Sequence, residues 1–182
     1  MKKPLKKKAC KICLSLFEPR SSTAKVCSWK CAVKLNEDRK EKKLRKELLI
    51  RKRELKTKSQ WLKEAQSAYN YYIRQRDFGR ECISCGKQPL KKNAGHFRTT
   101  KAAPELRFHE DNCHLQCEHC NTYLSGNISS YRANLIKKIG LERVEFLEGK
   151  HEPKKYSIDD IKQIKSLYKQ KVKDLTAQQE GR

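Results

Sequence analysis

Long apolar runs, glycine, proline and acidic side chains are all scarce in this chain, and each shortage removes a class of protein. No apolar run of about 20 residues exists to span a bilayer as a helix. The opening Met1-Lys2-Lys3-Pro4-Leu5 leads into more lysines rather than an apolar segment, so it does not read as a signal peptide. Seven glycines and five prolines are too few for a Gly/Pro-rich disordered chain. Hydrophobic residues make up 36%, against roughly 45–50% in typical globular proteins. One large core is therefore not expected, and small modules short of core usually need staples. Acidic residues number 21 against 44 basic ones, for a net charge of +23. The first 58 residues hold 21 basic and 6 acidic side chains, or +15, which leaves +8 for the remaining 124. That imbalance favours a polyanionic partner, nucleic acid ahead of a membrane surface.

Cysteine is abundant instead. Its nine copies fall into the close pairs Cys10/Cys13, Cys27/Cys31, Cys82/Cys85 and Cys117/Cys120, with Cys113 left over. Without an export signal the expected compartment is a reducing cytoplasm, where thiolate–metal bonds are favoured over disulfides. The pairs read as two structural zinc sites, one on Cys10, Cys13, Cys27 and Cys31, the other on Cys82, Cys85, Cys117 and Cys120. Cys113 reads as a small buried apolar residue.

Four segments follow, in an α+β arrangement. Residues 1–31 form an N-terminal zinc knuckle, whose folding free energy would come mostly from its metal. Residues 32–79 form a basic helical region. Its first helix, to about Lys56, has only Leu44, Leu48 and Leu55 as an apolar stripe, and reads as either a solvated spacer or a DNA-tracking arm. Its second helix starts near Thr57, with a Thr57-x-x-Gln60 capping box, and carries Trp61, Ala65, Ala68 and Tyr72 on one face. Asp77-Phe78-Gly79 ends it. Residues 80–127 hold the chemistry. Residues 128–182 form C-terminal helices, with Gly140 as a stop and Ser157-x-x-Asp160 as a cap.

Within residues 80–127, four thiolates would complete a zinc tetrahedron and leave no open position, so that ion cannot be catalytic. Short strands are expected around residues 94–97 and 106–108, with residues 101–104 in the turn. A third extended piece is expected over residues 113–116, then a helix near Cys120. The order Ala94-Gly95-His96-Phe97, Asn112, and Cys117-x-x-Cys120-Asn121 resembles the HNH, or ββα-metal, endonucleases, in which the second and third motif residues stand nine apart, as Asn112 and Asn121 do. By that resemblance His96 matches the general base and Asn112 the asparagine that fixes the hairpin loop. Asn121 matches a ligand of a catalytic divalent cation, Mg²⁺ by default with Mn²⁺ as a substitute. Most members place Asp or His directly before the base; here that position is Gly95. His114 is the first candidate for the second ligand, with His109 or Asp111 behind it, and a hydrogen-bonded structural role is the alternative for His114. His119, between zinc ligands, is expected to face solvent. Arg98, Lys101 and Arg107 would contact phosphate.

The wider set Cys82-Ile83-Ser84-Cys85-Gly86, Ala94-Gly95-His96-Phe97-Arg98-Thr99-Thr100, Leu106-Arg107-Phe108, Gln116-Cys117 and Ser125-Gly126-Asn127 is similar to the lambda NinG (Rap) recombination protein family, which carries the same Gly–His pair. This resemblance covers most of the chain. It implies a phage endonuclease that cuts branched recombination intermediates, including Holliday junctions and D-loops. Paired nicks in a junction would suit a two-fold homodimer; other recombination partners are not specified by the residues. Two other readings fit the same residues: a non-catalytic zinc protein that binds nucleic acid, and an HNH enzyme acting on linear duplex.

The charge distribution generates a first prediction. Affinity for nucleic acid should fall steeply as salt rises, because Lys and Arg contacts to phosphate release counterions. Binding isotherms at several salt concentrations check this, and a slope of log affinity against log salt near zero would contradict it.

Overall fold

A computed structural model describes residues 5–180, so residues 1–4, on which the leader reading rests, and 181–182 lie outside it. The chain divides into two compact units, one extending through Lys56 and one beginning at Thr57. Over the described residues the chain is mixed α and β, mostly helical with two small sheets. Among the described residues no helix is long and apolar enough to cross a membrane.

The first unit is organised by cysteine. Strands β1 (Lys8–Ala9) and β2 (Leu16–Phe17) pair antiparallel, with Lys8 opposite Phe17 and Ala9 opposite Leu16. Between them Cys10 and Cys13 lie on a turn in which the Leu14 amide donates to the Cys10 carbonyl at 3.0 Å. Helix α1 (Trp29–Glu54) begins at Ser28, whose hydroxyl accepts from the Cys31 amide at 3.4 Å. The helix starts three residues earlier than expected and so takes Cys31 into its first turn. Apart from Cys10 and Pro19, no described residue of this unit is buried. A unit with so little core has no hydrophobic route to stability. The four sulfurs of Cys10, Cys13, Cys27 and Cys31 lie within 4.8 Å of one another, with Cys13–Cys27 at 3.5 Å and Cys27–Cys31 at 3.7 Å. Thiolates bound tetrahedrally at about 2.3 Å from zinc stand about 3.8 Å apart, so this group could hold such an ion.

The second unit begins with α2 (Lys58–Arg76), capped by the expected box: Thr57 Oγ1 accepts from the Gln60 amide at 3.3 Å, and Gln60 Oε1 accepts from the Thr57 amide at 2.8 Å. Unlike α1, it buries Trp61, Ala65, Tyr69, Tyr72 and Ile73. That is why the basic helical region divides between the units at Lys56/Thr57. After α2 come β3 (Lys92–His96), β4 (Cys113–Cys117), α3 (Ile128–Ile139), α4 (Leu141–Glu148) and α5 (Ile158–Glu180). The strands pair antiparallel, from Lys92 opposite Cys117 to His96 opposite Cys113.

The expected strand at residues 106–108 does not form. Pro104 opens a single 3₁₀ turn, Pro104–Leu106, and the Leu106 amide donates to the Ala103 carbonyl at 3.1 Å. Proline fixes φ and lacks the N–H that a strand ladder needs. The partner of β3 is instead the segment expected as a third extended piece, and a long loop joins the two.

Each face of the hairpin meets its own apolar cluster. Residues directly opposite share a face and successive residues alternate, so Ala94, His96, Cys113 and Leu115 point one way, and Gly95, His114 and Gln116 the other. On the first side Cys113 joins Trp61, Ala65, Tyr69, Ile73 and Phe108 with residues of α5. A second cluster holds Phe97, Leu106, Tyr131, Leu135, Val144 and Leu147. Each fully buried side chain of this size contributes about 1.5–3 kcal/mol. Cys113 is thus a core residue, fully buried.

Zinc content tests this division of labour. The full chain should carry two zinc ions, and Cys13→Ser or Cys117→Ser should each lower the stoichiometry to one by metal analysis. Chelation should abolish structure in the first unit before the second, which keeps its apolar clusters; hydrogen exchange resolved along the chain would show the reverse order if this is wrong.

Candidate functional site

The hairpin is pinned at both ends. At the Lys92/Cys117 end, Cys82, Cys85, Cys117 and Cys120 bring their sulfurs within 4.8 Å of one another, Cys85 and Cys117 at 3.8 Å. Four-thiolate geometry again fits a closed zinc site. Cys82 and Cys85 lie on a turn whose Gly86 has φ +70 and donates its amide to the Cys82 carbonyl at 2.9 Å. The Ile83 amide donates to the Leu115 carbonyl at 3.0 Å, which docks this turn on β4.

At the other end the pin is Asn112, fully buried. Its Oδ1 accepts from the Arg98 amide at 2.8 Å, and its Nδ2 donates to the carbonyls of Arg98 at 3.0 Å and Leu106 at 3.1 Å. One amide side chain thus closes the loop from residue 97 to 112 at both of its limbs, with every polar atom of the carboxamide engaged.

His96 ends β3 beside this lock. Its Nε2 lies 3.0 Å from the Arg107 carbonyl, its Nδ1 lies 3.7 Å from Cys113 Sγ, and its ring stands 5.9 Å from that of Tyr69. A carbonyl only accepts, so Nε2 carries the proton of the neutral imidazole and Nδ1 keeps the lone pair. Burial lowers the pKa of His96 below the ordinary value; the Arg107 carbonyl opposes this and the Arg107 charge reinforces it. The ring is therefore neutral near pH 7.

The opposite face is a closed polar network. Tyr131 Oη donates to the Gly95 carbonyl at 2.9 Å and lies 3.3 Å from His114 Nδ1. Since the hydroxyl has one proton, it accepts from His114, which fixes an Nδ1–H tautomer. His114 is buried, and burial, then the charges of Lys138 and Arg76, push its pKa down to about 3. Gln116 Nε2 donates to Ser84 Oγ at 2.6 Å and to the Gly126 carbonyl at 2.5 Å. Its Oε1 is buried without a hydrogen-bond partner and points at Gly95, where an added Cβ would sit 2.0 Å away. A carboxylate or imidazole at position 95 would have to displace the Gln116 carboxamide.

His114, the candidate second ligand beside Asn121, is buried with its Nδ1 against Tyr131 Oη, which is the hydrogen-bonded structural role given as its alternative. Asp111 is committed to an ion pair with Arg143, and the His109 ring stands 5.7 Å from that of Phe146. His119 is exposed, stacked 6.0 Å from Tyr123. Asn121 lies on the short π-helical turn His119–Tyr123, directly after Cys120 of the second cysteine group; it is half-buried, and its side chain makes no hydrogen bond among the described residues. The turn follows the Cys117 end of the ladder, whereas His96 is paired with Cys113 at the other end. No hydrogen bond or ring contact joins His96 and Asn121. Among the described residues, only the two cysteine groups gather three or more Cys, His, Asp or Glu donors. The donor set therefore makes no closed cage for Mg²⁺.

Of the expected phosphate contacts, Lys101 is exposed. Arg98 is committed elsewhere, its Nη1 donating to the Glu148 carbonyl at 2.9 Å and so capping α4. Arg107 donates to Gln66 Oε1 at 3.2 Å and to the Thr100 carbonyl at 3.3 Å. Sequence reading missed Asp77, read only as a helix end. Burial would raise its pKa, but Arg76, Lys138 and the Leu115 amide outweigh that and hold the carboxyl below its usual range. Arg76 Nη2 lies 2.8 Å from Asp77 Oδ2, while Arg76 also donates to the carbonyls of Glu110 at 3.0 Å and Cys113 at 2.9 Å. The pair locks α2 to the start of β4, and nothing in the local pattern distinguishes it from a surface Arg-Asp.

Gly95→Ala should lower stability by about 1–3 kcal/mol through overpacking. Urea denaturation should show a smaller loss when Gln116 is already alanine. Equal losses in both backgrounds would contradict the close approach.

The comparisons with known proteins agree with one another. The family model described as "Bacteriophage Lambda NinG protein" matches residues 1–179. "Protein ninG" of Escherichia phage lambda is 42% identical over 182 residues, covering 90% of this chain and 89% of the relative. The protein of the same name from Escherichia phage 933W is 42% identical over 194 residues, covering 96% of each chain, and that of Salmonella phage P22 is 40% identical over 182 residues, covering 90% of each. No solved structure matches the chain. By the length of the match and the level of identity, the chain belongs to the NinG family of bacteriophage proteins.

Proposed function

We propose that this protein is an endonuclease of the HNH, or ββα-metal, type that hydrolyses phosphodiesters in branched DNA such as Holliday junctions and D-loops. The observation that carries the reading is the pairing of the Asn112 lock with His96: an asparagine fixes the loop while the adjacent histidine is held neutral in one tautomer. The zinc-clamped hairpin and the net charge of +23 add support. In this reading His96 Nδ1 takes a proton from the water that attacks phosphorus, the P–O3′ bond breaks, and a 5′-phosphate is left. The Arg107 carbonyl stabilises the imidazolium that results. A divalent cation, Mg²⁺ or Mn²⁺, supplies charge stabilisation at the phosphate when bound, with Asn121 as its protein ligand. Cutting both strands of a junction calls for two copies acting together.

A second reading is favoured by one observation, that among the described residues only the two cysteine groups gather three or more Cys, His, Asp or Glu donors. It makes the protein a zinc-braced binder of nucleic acid without catalysis.

Cleavage of a synthetic four-way junction and of linear duplex in Mg²⁺ and in Mn²⁺ separates these readings. The wild type should nick the junction in preference to duplex. His96→Ala should lose about 10²-fold or more in rate, the scale of general-base catalysis, with junction affinity kept. Because burial lowers the His96 pKa, the rate should hold as pH drops past the ordinary histidine value and fall only below it. Cleavage that survives His96→Ala overturns the assignment; a wild type that binds and never cuts makes the second reading correct.

A further inference from the structure

A groove of about 490 Å³ runs along the outward side of α2, next to the His96 end of the hairpin. Lys63, Gln66, Ser67, Asn70, Arg74 and Arg107 line it. The α2 members recur at three- and four-residue spacing, so one helix face presents them all. Three cations, two amides and two hydroxyls line this surface beside Leu62, and among the described residues no carboxylate lines it. Glu64 is turned to Lys165, Nζ to Oε2 2.6 Å.

The polar groups are set in advance. Gln66 Nε2 donates to Asn70 Oδ1 at 2.7 Å, and Gln66 Oε1 accepts from Arg107 Nη1 at 3.2 Å. Tyr71, about half exposed, lies near the Arg74 guanidinium, 5.8 Å from ring centroid to carbon. Arg107 connects the groove to the candidate base. Its side chain forms a wall, and its backbone carbonyl holds His96 Nε2 at 3.0 Å.

We propose that this groove is the track for the sugar–phosphate backbone of the DNA strand led to His96. The proposal rests on the nuclease reading for its destination and on the groove itself for its ligand. Cations with amide and hydroxyl donors, and no carboxylate, suit a row of phosphates. From Ser59 to Arg74 the helix rises about 22 Å, long enough to lie against several successive phosphates of one strand. No base-edge reader is needed, so the track accepts any sequence. It lies on the second unit and adds to whatever the basic first unit contributes.

The test uses the full zinc-loaded chain and a labelled four-way junction, with affinity measured between about 50 and 200 mM salt, the range over which phosphate binding weakens most visibly. Replacing both Lys63→Gln and Arg74→Gln should weaken binding and flatten the log–log salt slope by about 2, one for each cation withdrawn from a phosphate. Arg74→Lys with Lys63 intact should keep the wild-type slope. A control pair, Lys169→Gln with Lys173→Gln on α5, removes the same charge at two exposed residues that do not line the groove and should leave the slope unchanged. Circular dichroism and zinc content matched to wild type exclude misfolding. An unchanged slope in the groove pair, or an equal flattening in the α5 pair, overturns the proposal. Failure of the nuclease reading is seen separately, as absence of cleavage by a wild type whose binding still responds to the groove.

Discussion

Two β-strands in water do not hold together by themselves, and the second unit is built around a hairpin of only five residue pairs. Its shape is imposed from its ends. Four cysteines gather at one end and a buried asparagine closes the other. The faces are then covered by different parts of the chain, α2 and α5 on the His96 side and α3 on the Gly95 side. A short sheet becomes a fixed platform because nothing about its register is left for the strands to decide.

That platform sorts the residues by face, and the sorting matters for chemistry. The side bearing His96 is aromatic and adjoins a basic groove. The side bearing His114, Gln116 and Tyr131 is sealed, its polar groups bonded within the fold except Gln116 Oε1, which faces Gly95. Gly95 belongs to the sealed side because a glutamine carboxamide occupies the space a side chain would take. The absent carboxylate is therefore a packing consequence of Gln116, two residues beyond His114 and invisible from Gly95 outward.

Much of this was legible in the sequence. Cysteine spacing pointed to both four-thiolate groups, Thr57 and Gln60 to the α2 cap, and the Asn112 spacing to the residue that closes the loop. Helices α3, α4 and α5 follow from apolar periodicity and from Gly140, whose φ of +89 suits glycine. The misplaced strand at 106–108 has a local cause: Leu106 and Phe108 alternate as a strand would, yet Pro104 and the Leu106 carbonyl bonded by Asn112 hold the segment in turns. The face of His114 depended on register, which one slipped residue would have inverted. Commitments of Arg98 and Asp77 are tertiary, made across 50 and 38 residues of sequence, and no short window of the chain contains both partners.

The path of hydrogen bonds from Gly95 through Tyr131 to His114 also makes the fold an acid sensor of sorts. Inside the protein the His114 imidazole stays uncharged until about pH 3, whereas in an unfolded chain it takes up a proton near about 6.5. Across that interval the unfolded form binds the extra proton, so its share of free energy favouring the native state is complete above about 6.5 and drains away on acidification. A ring that serves as a wedge between strand and helix at neutral pH thus becomes, in acid, a reason for the two to part.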